Sequence, residues 1–377
     1  MTMIGIIIAF LILTAIAVIL YFRRIIIIMC CEAGINSGKR IVKITVLFLS
    51  VLLGVAACNF FSFCAVFLFH IVILSLFTDS VNFLIGKKRK KRYAWRKIYA
   101  YRIIPILMTV VVMTYGYVNI NNIKVTSYTV LTGKNIREEG YRIALIADVH
   151  YGVSAKGSKL RKICNEIGQK DVDAVILCGD IVDDNTSGEG MKEVFSILSS
   201  IKTKSGIYYV YGNHDRQSYS NEKAYSETDL RKEIEKNNII ILKDRSININ
   251  GDLIIIGRED ASFGRYMNGR ERKNLPDISP EKKPECFMIV ADHQPKDLIS
   301  NASYGADLIV SGHTHGGQIW PINIIDELFK INEINYGIKT VSGETKAIVT
   351  SGLAGWNYPI KTAAPAEYVI IDIKKKD

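Results

Sequence analysis

The sequence predicts an α/β domain preceded by a four-helix membrane region. Three observations carry that reading. Long apolar runs fill the first third of the chain. From about Tyr141 onward, short apolar runs alternate with amphipathic stretches of roughly ten to fifteen residues. The charge is also unevenly divided: residues 1–120 hold 14 of the 48 Lys and Arg but 2 of the 37 Asp and Glu, a balance of +12 that leaves −1 for the rest. A mean hydropathy of +0.16 with 23% charged residues is the average of two parts made for different solvents.

The membrane elements come first. Residues 3–22 carry no charge and are long enough to cross a bilayer core as a helix. Residues 44–85 are mostly apolar, with His70 and Asp79 as their ionisable groups besides cysteine. One helix of that length would reach about 63 Å, roughly twice a bilayer core of about 30 Å. Two spans, over about 41–58 and 61–85 with a turn near Asn59, fit better. Residues 103–120 make the fourth, with Pro105 near its start, where a missing N–H costs little. The loop after the first span carries Arg23, Arg24, Lys39, Arg40 and Lys43. The loop after the third carries the run Lys87–Arg92 with Arg96, Lys97 and Arg102. The positive-inside rule places both basic loops in the cytoplasm, and with four spans everything after residue 120 lies on the other side. The expected localisation is therefore a multi-pass cell-membrane protein with an extracytoplasmic domain. A cleaved signal peptide over 1–22 fits less well, because it lacks a positive leading region and an A-x-A-like site. His70 is expected as a neutral residue packed between helices. The neutral balance after residue 120 speaks against a nucleic-acid partner. Seven cysteines are no disulfide scaffold, and Cys178 lies in an apolar run.

Residues 121–140 read as a short strand-bearing linker before a domain over 141–377. Strands are expected over 142–146, 174–177, 207–211, 239–242, 253–256, 287–290, 308–310, 347–350 and 368–373. Helices are expected over 159–168, 191–199, 228–236 and 295–302. Continuous apolar strands with helical crossovers belong to sheets buried on both faces. Residues 259–285, rich in charge and proline, read as an exposed loop.

The polar residues that matter follow those strands. Asp148 and His150 follow the first, Asp180 and Asp183 the second, and Asn213, His214 and Asp215 the third. Asp292 and His293 come after 287–290, and His313 and His315 after 308–310. Sites in open α/β sheets form at the carboxyl ends of strands. Asp148, His150, Asp180, Asn213, His293, His313 and His315 combine imidazoles with oxygen donors. That mixture suits Mn, Fe or Zn better than Ca or Mg. Seven ligands are too many for one tetrahedral ion and suit two cations sharing a carboxylate.

The series D-x-H, G-D-x-x-D, G-N-H-D, H and G-H-T-H resembles the calcineurin-like metallophosphoesterase superfamily over about 141–373. GHTHGGQ, then IWPI, then SGLAGWNYPIKT is similar to its bacterial membrane-associated phosphodiesterase branch. The resemblance implies a two-sheet sandwich flanked by helices. It implies that Asp148, His150 and His315 hold one divalent metal and that Asn213, His293 and His313 hold the other, with Asp180 bridging and His214 facing the substrate phosphate. Lys361 stands where many relatives carry Arg. Two cations about 3.5–4 Å apart can hold a bridging hydroxide and clamp phosphoryl oxygens. His214 can then assist the leaving oxygen. Asp215 is a candidate to orient His214, and Asp183 and Asp292 to support ligand loops, with turn capping as the plain alternative. Trp320, Trp356, Tyr358 and Lys361 are candidate substrate contacts. Arg258, Arg265, Arg270 and Arg272 are candidate contacts to phosphate or headgroups, or else part of a solvated loop. The expected function is a phosphodiesterase or pyrophosphatase on a phosphate ester, lipid-linked or part of the envelope. A phosphomonoesterase or protein phosphatase is the first alternative, and a non-catalytic membrane sensor the second.

Overall fold

The computed structural model describes residues 3–59, 62–86, 93–152, 155–263, 272–279 and 284–376, the side chains of 3–11, 85–86 and 93–94 excepted. The basic run Lys87–Arg92, Arg265 and Arg270 lie outside the described residues. The chain divides into two compact units, Met1–Tyr115 and Gly116–Asp377.

The first unit is helical: α1 (Met3–Glu32), α2 (Arg40–Cys58), α3 (Phe63–Gly86), α4 (Tyr93–Ala100) and the start of α5 (Ile103–Asn121). Four of these, α1, α2, α3 and α5, are long and apolar enough to cross a membrane. The expected span 3–22 is too short, since α1 continues through Arg23 and Arg24 to Glu32. The apolar run Ile25–Met29 gives it no reason to stop. The short α4 is a second departure, because Arg96 and Lys97 read as loop in the sequence. Phe22, Ile25 and Leu68 form a small helix–helix core with Leu53 and Ile71.

Several polar side chains in this unit find partners close by. Thr45, Ser50 and Thr78 donate to the carbonyls four residues before them, at 3.0, 2.6 and 2.8 Å. His70 is buried with Nδ1 2.8 Å from the Val66 carbonyl. Asp79 accepts from Tyr21 (3.0 Å), Tyr99 (2.8 Å), Arg24 (3.2 Å) and the buried Arg102. Arg96 pairs with Glu32 at 2.9 Å, so three of the basic residues read as a topology signal, Arg24, Arg96 and Arg102, are ion-paired.

The second unit holds two six-stranded sheets. The first comprises β1 (Lys124–Thr132), β2 (Tyr141–Ile146), β3 (Ala174–Cys178), β4 (Ile207–Val210), β5 (Ile239–Ile241) and the C-terminal β12 (Glu367–Lys375), in the order β1-β12-β2-β3-β4-β5. The second comprises β6 (Arg245–Ile249), β7 (Leu253–Gly257), β8 (Phe287–Ala291), β9 (Leu308–Ser311), β10 (Gly337–Ser342) and β11 (Thr345–Val349), in the order β10-β11-β9-β8-β7-β6. Strands β2 to β5 run parallel, as do β7, β8, β9 and β11. The linker reading of 121–140 needs correction, since Lys124–Thr132 pairs in parallel with β12 along its whole length and forms the edge of the first sheet.

Successive strand residues point to opposite faces, and the packing follows. Ile143, Leu145, Ile176, Phe287, Ile289 and Val310 fill the space between the sheets. Ala144, Ile146, Val175 and Leu177 face the helices α6 (Gly157–Gly168), α7 (Gly188–Leu198) and α8 (Glu227–Lys236), through residues such as Leu160, Phe195 and Leu230. The outer face of the second sheet is covered by Leu275, Leu298 and Tyr304. Each fully buried Leu, Ile or Phe contributes about 1.5–3 kcal/mol. All seven cysteines carry free thiols, and Cys164, Cys178 and Cys286 are buried.

Candidate metal centre

Five turns build the site, at the carboxyl ends of β2, β3 and β4 in one sheet and β8 and β9 in the other. The turns are so tight that Asp148, His150, Asp180, His313 and His315 all take positive φ, between 41° and 72°. Left-handed backbone at five non-glycine residues is strained, and strain of this kind gathers at functional sites. Gly179, at φ 79°, is needed for space as well: a Cβ there would stand 2.5 Å from His293 Nδ1. At Gly312 a Cβ would stand 2.5 Å from Asp148 Oδ2.

The side chains fall into two groups. Asp148, His150 and His315 offer ligand atoms within 4.8 Å of one another, and so do Asp180, His293 and His313. His150 Nε2 and His315 Nε2 face each other at 3.2 Å, and His315 Nε2 lies 3.8 Å from Asp148 Oδ1. In the second group His293 Nε2 lies 3.1 Å from Asp180 Oδ2, and Asn213 Oδ1 lies 2.9 Å from His313 Nδ1. One oxygen joins the groups, because Asp180 Oδ2 is also 3.8 Å from His150 Nε2. Asp148, His150, Asp180 and His293 are essentially without exposed surface.

The electrostatics separate the imidazoles. Burial alone would raise Asp180, but His293, His214 and His150 hold its carboxyl well below the usual range. Burial raises Asp148. His313 is pushed down to about 3, by burial first and then by His293. His315 is pushed well down by burial, His150 and Lys361. Both rings are therefore neutral at pH 7 and present lone pairs. Facing ring nitrogens, a buried His293 Nε2 without hydrogen-bonding geometry and adjacent carboxylates form a donor set that fits divalent cations.

The surrounding residues correct several expectations. His150 Nδ1 is held 2.9 Å from Asp183 Oδ2, so Asp183 orients a candidate ligand. Asp215 does not touch the His214 ring. It accepts from the backbone N–H groups of Asp180 (2.9 Å), Ile181 (2.9 Å), Val182 (3.1 Å) and Gly212 (2.6 Å) and so ties two site turns together. The carboxylate on His214 Nδ1 belongs to Asp184, which the sequence reading missed. Burial would lower His214, but Asp180 and Asp184 outweigh it and push the ring up to about 9. Asp292 holds no ligand: it accepts from Arg272 Nη1 at 2.9 and 2.8 Å and faces Arg258 Nη1 at 3.6 Å. Arg258 and Arg272 are correspondingly largely buried in ion pairs with Asp292 and Asp297, not solvated.

Of the candidate substrate contacts, Trp356 stands with the histidines, its ring 5.6 Å from that of His214. Tyr219, also missed, flanks the same imidazole at 5.0 Å. Trp320 and Tyr358 are half-buried and tied through their backbone to the layer formed by Gln318 and Thr362. Lys361 is the clearest correction, since it is fully buried and donates to the Ser351 and Gly352 carbonyls. Burial pushes its amine down to about 7. The segment it holds gives the Ala354 N–H to the Asp148 carbonyl at 3.0 Å. Lys361 thus shapes the Asp148 turn from behind.

The profile of the calcineurin-like phosphoesterase family matches residues 141–317. An uncharacterized metallophosphoesterase of Helicobacter pylori is 30% identical over 243 residues, 63% of this chain and 60% of that one. A transmembrane protein with metallophosphoesterase domain from Danio rerio is 24% identical over 354 residues, 88% of this chain and 80% of that one. Among solved structures, a dimetal phosphatase from Danio rerio superposes with a TM-score of 0.38 at 13% identity, over 62% of this chain and 99% of that one. Residues 141–317 thus match a calcineurin-like phosphoesterase domain, and the bacterial relatives that share it are named metallophosphoesterases. The chain spans about three-fifths of the length of the first bacterial relatives it matches.

Proposed function

We propose that the protein is a membrane-anchored phosphohydrolase working with two divalent cations, Mn, Fe or Zn, on a phosphodiester or pyrophosphate bond. Its substrate would be lipid-linked or part of the cell envelope, as in the bacterial membrane-associated phosphodiesterase branch. The observation that carries this reading is the position of Asp180 Oδ2 between His293 Nε2 at 3.1 Å and His150 Nε2 at 3.8 Å. A single carboxylate facing two imidazole groups is the arrangement a shared ligand requires.

Asp148, His150 and His315 would hold one cation, Asn213, His293 and His313 the other, and Asp180 both. When bound, the pair supplies an activated water and neutralises charge on the phosphoryl oxygens. The protein's own residues do the rest. Asp183 fixes the tautomer and direction of His150 through Nδ1. Asp184 fixes His214 in the same way, which leaves the other ring nitrogen of His214 to donate to a substrate oxygen. A cationic His214 is suited to protonate the leaving oxygen. Trp356 and Tyr219 beside it offer flat apolar surface to a leaving group. The end of the membrane region near residue 120 and the extracytoplasmic placement of the domain belong to the same proposal.

The test uses the full chain in detergent, loaded with Mn²⁺, Zn²⁺ or Fe²⁺, on bis-p-nitrophenyl phosphate and p-nitrophenyl phosphate. Faster diester turnover supports the proposal, and faster monoester turnover favours a phosphomonoesterase. No turnover with any metal leaves a ligand-binding sensor and defeats the enzyme reading. An alkaline-phosphatase fusion after residue 125 is expected to be active, and an inactive fusion reverses the orientation.

A further inference from the structure

We propose that the helix Ile322–Phe329, together with Ile331, lies in the surface of the bilayer that anchors the chain, with its apolar face among the lipid acyl chains. Elsewhere in the second unit the exposed large apolar side chains, such as Leu131, Ile240 and Ile299, are scattered along the chain. Within ten residues here, Ile322, Ile324, Ile325, Leu328, Phe329 and Ile331 are all exposed, and Leu328, Phe329 and Ile331 reach 72%, 71% and 67%. Such a concentration in water marks a binding surface.

The helix is held firmly in that pose. The buried Asp326 carboxylate accepts from Asn332 N and Nδ2, both at 3.0 Å, and closes the turn after the helix. Lys330 ends the helix in a left-handed conformation. Glu327 is balanced by Lys339 at 3.7 Å, and Lys330 is exposed at the helix end, where a phosphate headgroup would lie. A short apolar face with a basic residue at its margin is the composition of interfacial helices.

What identifies the occupant as lipid is the layer on which the helix stands. The last turns of α5, where a membrane-spanning helix ends, pack on residues 360–364. The Lys361 N–H donates to the Gly116 carbonyl (3.1 Å), and Asn119 Nδ2 donates to the carbonyls of Lys361 (2.8 Å) and Ala364 (2.9 Å). Thr362 in turn gives its N–H to the Gln318 carbonyl (2.8 Å), and its hydroxyl accepts from Trp320 N (2.8 Å). The apolar helix begins two residues later. One hydrogen-bonded layer therefore joins the membrane exit of α5 to the base of the exposed helix. The exposed Tyr117 on α5 adds an aromatic ring of the kind that sits at the water–lipid boundary.

The experiment places the full chain in nanodiscs and reads tryptophan fluorescence with acyl-chain-brominated against ordinary lipid. In Leu328→Trp, the added fluorescence is expected to fall by about two-fold or more in brominated lipid. In Lys232→Trp, on the exposed face of α8, it is expected not to change. Ile331→Trp is read in the same way and decides the matter if Leu328→Trp does not fold. Added fluorescence quenched no more than that of Lys232→Trp overturns the proposal. So does added fluorescence that is shielded from aqueous iodide yet insensitive to brominated lipid, which would mark a second copy of the chain on this face. Hydrolysis is not measured, so the outcome is independent of the catalytic reading.

Discussion

Ile41 and Phe48 of α2 stand in the open, whereas Ile143 and Phe287 in the two sheets have essentially no exposed surface. The residue types are the same and the solvents differ. In the helical unit, lipid can cover Ile and Phe but cannot satisfy a hydroxyl, so Thr45, Ser50 and Thr78 turn back to their own helix. In the α/β unit, water drives Ile and Phe inward. The rigidity gained there permits carboxylates and imidazoles to face one another at 3–4 Å. The helix Ile322–Phe329 breaks the contrast, because it belongs to the second unit yet presents its apolar side chains as the first unit does.

The largest effect is expected at Asp180. Asp180→Asn in the full chain is expected to remove turnover and lower the content of bound metal, a larger loss than the roughly 10–100-fold typical of a partner outside the ligand set. Retained activity and metal content would mean that the facing groups are merely structural. His214→Ala is expected to lower turnover by roughly 10²–10⁴ with metal content unchanged. Asp184→Asn should follow it more weakly, and Asp215→Asn should lower the melting temperature before it lowers kcat.

Two phenylalanines separate packing against protein from packing against lipid. Phe287→Ala is expected to cost about 3–5 kcal/mol of stability, because it empties space between the sheets. Phe48→Ala should cost far less, since its ring already faces outward. Thermal melts of the purified chain in one detergent decide between them, and equal shifts would show that α2 is covered by protein. The smallest effect is expected at Lys361, whose amine is lowered from 10.5 to about 7 by burial. Between those values the unfolded chain binds a proton that the folded chain has shed. Stability from this group therefore rises as pH goes from about 7 toward 10.5 and is lost as pH falls through 7. Lys361→Met should flatten that slope in melting temperature, and an unchanged slope would place the amine in water.

Much of this was legible without coordinates. Long uncharged runs can only be helices in lipid, and short apolar runs between amphipathic stretches can only be covered strands, because burial scales with local composition. The parallel pairing of β1 with β12 was not legible, since it joins residues some 240 positions apart and leaves no local signal. The partner of His214 was misread for a similar reason. Asp215 is its neighbour in sequence, but the chain turns there and sends that carboxylate to backbone N–H groups, while Asp184 arrives from the turn after β3.

Residue type and spacing are local properties, so they suffice to mark the side chains available for metal chemistry and the stretches that belong in lipid. Which carboxylate meets which imidazole, the place of Lys361 beneath the Asp148 turn, and the bare apolar face of one helix in the α/β unit emerge with the folded chain. Those outcomes depend on contacts between distant segments, whose free energy exists only once both sheets have closed on each other.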